Sequence, residues 1–81
     1  MKAILEDILN DNNLLNINKV YHFFERTNDI LIIKYDGIRD KNKYTIIIIG
    51  KESRFETINV ENDDLQIGLR NVLVKYKNHV I

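Results

Sequence analysis

Two histidines, a few acidic pairs and one serine are the side chains here whose chemistry could serve a reaction or hold a metal. His22 and His79 lie far apart, and neither has a second histidine at i+3 or i+4, the spacing that turns two imidazoles to one side of a helix. In an aromatic strand, His22 alternates with Val20 and Phe24 and reads as a packed or edge residue. His79 falls near the end of the last helix, where the dipole favours a cation. Glu61, Asp63 and Asp64 resemble a paired-acid or cation site, but capping and the helix dipole account for carboxylates at a helix start. Asn10-Asp11-Asn12-Asn13 lacks the spaced acids, glycine and distal glutamate of a calcium loop. Gly37, Gly50 and Gly68 are too dispersed to cradle a phosphate. Ser53 is the only serine, and no Ser–His–Asp set stands out. There is no cysteine, hence no thiolate chemistry and no cysteine-based metal site, which fits a reducing cytoplasm. The expectation is a protein that is not an enzyme, with no metal and no cofactor.

Charge narrows the partners further. Twelve basic and twelve acidic residues leave a formal net charge of zero in 81 residues. Nucleic-acid binders draw affinity from neutralised phosphates and show a basic excess; a mimic of DNA would show the opposite sign. Arg39, Lys41 and Lys43 precede one apolar run, and Lys51 and Arg54 follow it. In a meander these two groups sit at opposite ends of the sheet, offset by Asp36, Asp40 and Glu52. A solvated rim is the reading, and nucleic acid is not the expected partner. No apolar run approaches the roughly 20 residues that span a bilayer. Met1-Lys2 opens onto a short amphipathic segment broken by Glu6 and Asp7, not a signal peptide. The expected location is the cytoplasm, that of the host cell if a phage encodes the protein. Abundant isoleucine, asparagine, lysine and tyrosine point to an AT-rich genome.

The elements that must position these residues are organised around Ile46-Ile47-Ile48-Ile49, closed by Gly50. β-branched side chains favour the extended chain, and so short a run reads as a strand. Residues 2 to 10 carry Ile4, Leu5, Ile8 and Leu9 on one helical face and end at the asparagine cluster. Leu14-Leu15-Asn16-Ile17 is a further turn of helix or a packed loop that pins the connection to the core. Lys19 to Thr27, rich in aromatics, reads as a first strand. Ile30 to Asp36 reads as a second, the isoleucine run as a third and Arg54 to Val60 as a fourth. Short polar turns join these strands, so an antiparallel meander is the simplest pairing. Asn62 is a good N-cap for a last helix from about Asp63 to Asn78, in which Leu65, Leu69, Val72, Leu73, Tyr76 and Val80 follow the helical period. The fold expected is α+β: one small domain over residues 1–81, a two-layer helix–four-stranded meander–helix arrangement (αββββα) with both helices on one face of the sheet.

That architecture leaves apolar surface over. On the last helix Ile67, Val74 and Ile81 recur every seven residues, opposite the core-facing stripe. On the sheet, the face away from the helices should carry a set among Ile30 and Ile32, Ile47 and Ile49 (or Ile46 and Ile48), and either Tyr21 and Phe23 or Val20 and Phe24. Contiguous apolar surface of this kind marks a contact site. Ile67, Val74, Ile81, Ile47 and Ile49, with Arg39 and Lys41 at the rim, are therefore the expected interface. In size and layout the chain looks like some anti-CRISPR, immunity and antitoxin proteins. That resemblance implies an inhibitor or regulator of a protein partner, of the phage or mobile-element type. The alternative is a self-associating accessory subunit, a homodimer that covers the same surface with its own copy.

Overall fold

The computed structural model describes residues 2–10 and 14–80. Helix α1 (Lys2–Asn10) turns Leu5 and Ile8 into the core, as its spacing predicts. Helix α2 (Ile17–Glu25) follows, then strands β1 (Ile30–Tyr35), β2 (Tyr44–Ile49) and β3 (Ile58–Asn62), and finally helix α3 (Leu65–Val80). The strands form one antiparallel sheet in the order β1-β2-β3. Among the described residues the protein is thus α+β with three helices and three strands, not the expected two and four.

The difference lies in α2. Lys19–Thr27 was expected as a strand because aromatic and β-branched residues favour one. Val20, Phe23 and Phe24 instead bury themselves at i, i+3 and i+4, with Ile17 packed alongside. Asn16 starts the helix by accepting the backbone N–H of Lys19 at 3.2 Å. Local preference for the extended chain spans only about 1 kcal/mol and yields to the burial of two phenylalanines in one core. Phe23 and Phe24 meet edge to face at 5.2 Å, and both approach the ring of Tyr76 on α3. Ahead of α2, Leu15 is buried, and both its backbone groups bond the side-chain amide of Gln66 on α3, at 2.6 and 3.2 Å. This connection is indeed pinned. The asparagine cluster at 11–13 lies outside the described residues, as does Ile81.

The meander itself is as expected, one strand shorter. Cross-strand partners run from Ile30–Ile49 to Tyr35–Tyr44 and from Ile48–Ile58 to Tyr44–Asn62. The last strand starts later than Arg54 because a 3-10 turn at Lys51–Ser53 intervenes and the ring of Phe55 folds onto Gly50. At Gly50 a Cβ would stand 2.8 Å from that ring, so a side chain there would force the ring aside. Helix α3 begins two residues later than expected and is capped by Asp64, whose Oδ1 accepts from the N–H groups of Gln66 and Ile67 at 2.8 and 3.1 Å. Asn62 supports the cap by accepting the N–H of Asp64 at 2.9 Å.

The core gathers on one side of the sheet. Leu31, Ile33, Ile46, Ile48, Ile58 and Val60 meet Leu69, Val72, Leu73 and Tyr76 of α3 and the buried faces of α1 and α2. Helix α3 lies so close on β2 and β3 that a Cβ at Gly68 would stand 2.7 Å from Cδ1 of Ile46 and 3.2 Å from Cβ of Asn62. Ile46 is fully enclosed and has little room to yield. Gly68→Val should therefore lower stability by about 2 kcal/mol through overpacking, and helix propensity will not offset it. Urea unfolding monitored by circular dichroism measures the loss; a neutral or raised midpoint would show that α3 is seated less tightly.

Candidate functional site: an uncovered isoleucine face

The face of the sheet turned away from the helices follows from the register. Ile30 stands across from Ile49, and Ile32 across from Ile47, so these four side chains form a two-by-two block on β1 and β2. Ile30 is 52% and Ile32 39% exposed, while Ile47 and Ile49 are half-buried beside them. On the same face Asn59 of β3 is paired with Ile47, and Lys34, Thr45 and Glu61 form a polar row at one end. Strand β1 is an edge of the sheet, so the block adjoins a free strand edge. The set left uncovered is thus the one containing Ile47 and Ile49, while Ile46 and Ile48 lie wholly inside.

The other expected interface residues fall elsewhere. Ile67 and Val74 are 53% and 44% exposed on α3. They occupy the side of that helix opposite Leu69, Val72, Leu73 and Tyr76, which face the sheet. The α3 stripe and the isoleucine block therefore look out from opposite layers and do not merge into one surface. Arg39, in the loop between β1 and β2, reaches Glu61 with both terminal nitrogens at 3.0 and 3.4 Å. That pairing raises the pKa of Arg39, and its mirror image lowers that of Glu61. It closes the polar end of the isoleucine face. Lys41 is exposed in the same loop.

Neither histidine assembles a site. His22 is on the exposed side of α2, not in a strand, with Nδ1 3.2 Å from Oε2 of Glu25. His79 stacks on Phe55 with ring centroids 5.8 Å apart. Among the described residues no group of three potential ligands could hold a metal ion.

A polar cluster that the sequence did not disclose is centred on Asp29, whose side chain is 0% exposed. Oδ1 accepts from the backbone N–H of Lys51 at 2.9 Å and from Nε of Arg54 at 3.3 Å. Oδ2 accepts from the hydroxyl of Tyr76 at 2.6 Å and from Nη2 of Arg54. Burial pushes the Asp29 carboxyl upward, but donors from Arg54, Tyr76 and Lys51, with the charge of Arg54, outweigh it and hold the pKa below the ordinary value. Burial, reinforced by the bond to Asp29, drives Tyr76 the other way, well above a free phenol. An ionised acid with its lone pairs occupied and a tyrosine locked in its protonated form are poor acid–base catalysts. The cluster is a latch. It ties the α2–β1 turn and the 3-10 turn to the C-terminal half of α3.

No family model, curated protein or solved structure matches this chain. The surface and its chemistry must carry the functional reading.

Asp29→Ala should cost about 3 kcal/mol, the low end for breaking a buried pair because Arg54 is half-exposed and can recover solvent. Since the native carboxyl titrates below 3.8, its stabilising contribution is complete above that value and is lost as pH falls through the depressed native pKa. Denaturation between pH 2 and 6 should show the wild type losing stability faster than Asp29→Asn; parallel curves would remove the latch from the account.

Proposed function

We propose that this protein is a non-catalytic binding module that inhibits or regulates a protein partner, and that the isoleucine face of the sheet is its contact surface. The observation that carries the reading is the block of Ile30, Ile32, Ile47 and Ile49, left without cover beside a free strand edge. Completing the burial of four half-covered isoleucines contributes on the order of 4 kcal/mol. That falls short of the roughly 8 kcal/mol of a micromolar complex, before any cost of association. The block therefore acts as an anchor, and the contact extends over Lys34, Asn59 and the Arg39–Glu61 pair, which give it polar specificity. The balance of twelve basic and twelve acidic residues also speaks against nucleic acid.

Small size and an α+β layout are shared with anti-CRISPR, immunity and antitoxin proteins, and a phage or mobile-element regulator working in the host cytoplasm is the setting we favour. The αββββα layout is not the one observed, so the weight rests on the surface. Affinity capture from the source or host cell should enrich one protein with the wild type. Ile30→Asp with Ile32→Asp should abolish that enrichment at unchanged circular dichroism, and Ile67→Asp with Val74→Asp should preserve it. The reverse pattern would transfer the interface to α3.

A second reading rests on the symmetry of the block. Two copies related by a two-fold axis through its centre place isoleucines on isoleucines, as an isologous dimer requires. Light scattering at micromolar concentration decides between them. A dimer dissociated by the Ile30 and Ile32 substitutions supports self-association, and a monomer leaves the face to another protein.

A further inference from the structure

The helical side of the molecule carries a separate concavity, a cleft of about 240 Å³ between α1 and α2. Ile4, Ile8 and Phe23 give it an apolar lining, and Asn16, Lys19, His22 and Arg26, the last at the C-cap of α2, supply polar groups along the α2 side. Lys19 and Arg26 are seven residues apart, two helical turns on the same side of α2, so both reach one edge of the cleft. Among the described residues neither has an ion-pair partner; the nearest acid on their own helix, Glu25, is taken by His22. Asp7 stands on the α1 wall. An apolar floor with two uncommitted cations on one wall is complementary to a molecule with a greasy body and an anionic head. At roughly 30 Å³ per water-sized group the cleft holds about eight such groups, at the lower edge of the roughly 300 Å³ and above that ligand pockets span.

We propose that this cleft binds a small amphipathic carboxylate with a chain of about eight carbons. The chain lies on Ile4, Ile8 and Phe23, and the carboxylate meets Lys19 and Arg26. Asp7 repels the head from the α1 wall and so sets its orientation. His22 also lines the α2 wall, between the two cations in sequence, with Nδ1 held 3.2 Å from Oε2 of Glu25. The proposal is independent of any contact at the isoleucine face.

Octanoate is the probe, with octanol and octylammonium as neutral and cationic counterparts, titrated into the full chain under amide-resolved NMR. Octanoate should give saturable shifts confined to residues 4–8 and 16–26, with octanol binding at least about tenfold more weakly and octylammonium not at all, since charge-assisted bonds supply the difference. Lys19→Ala with Arg26→Ala should weaken octanoate by about tenfold or more, and both positions are exposed, so the fold should survive. Asp7→Asn should tighten binding severalfold. Equal binding of octanol, shifts centred on Ile30, Ile32 and Ile47, unchanged affinity in the double variant, or no saturable binding would each overturn the proposal.

Discussion

Ile46 and Ile48 are wholly removed from solvent because α3 lies across them, so closely that at Gly68 there is no space for a side chain. That contact is the constraint from which the other features follow. It selects which set of β2 side chains becomes core, and by the alternation of a strand it sends Ile47 and Ile49 to the other face. It turns Ile67 and Val74 away from the sheet, because the buried stripe of α3 fixes the rotation of the helix. It also brings the Tyr76 hydroxyl to Asp29, so the polar latch can form only when α3 is seated. The latch then holds both turns at that end of the sheet against the C-terminal half of the helix.

The supply of covering material explains the asymmetry. All three helices bury their apolar stripes in the same core, on the same side of the sheet. Helix α2, formed from a segment that might have been a fourth strand, adds to the side already covered and leaves the sheet narrower. A three-stranded sheet with helices on one side must show its other face to water or to another molecule. Antiparallel sheets tolerate that readily when the outward residues are polar. Here the outward residues of β3, Asn59 and Glu61, follow the rule, as do Lys34 and Thr45, while Ile30 and Ile32 of β1 and Ile47 and Ile49 of β2 depart from it.

Much of this was legible in the sequence, and the failures have identifiable causes. The first helix, the three strands from Ile30 onward and the core stripe of the last helix follow from apolar spacing and turn chemistry. Helix α2 was misread because Val20, Tyr21, Phe23 and Phe24 satisfy a strand's preferences one by one. The contrary signals were the spacing of Ile17, Val20 and Phe24 and the cap at Asn16. The uncovered face could be posed as a choice between two isoleucine sets but not decided, since the decision belongs to the docking of α3. Nothing in the sequence marked Asp29, whose partners Arg54 and Tyr76 lie 25 and 47 positions away. A turn aspartate and a buried one look alike until the chain has folded.

The isoleucine block is not a requirement of strand formation. Thr45 lies on the same strand and the same face, and it supplies the β-branched backbone preference with a polar surface. Threonine at Ile30, Ile32, Ile47 and Ile49 would leave the local preference intact and the outer face wet. Edge strands usually carry a charge that discourages pairing; in β1 that charge, Lys34, stands at the far end of the strand from Ile30, beyond the block. The polar residues of this face are thus grouped along β3 and at one end, around a patch that the fold itself does not need. A surface whose polarity is withheld from one corner alone is what the proposed contact would require.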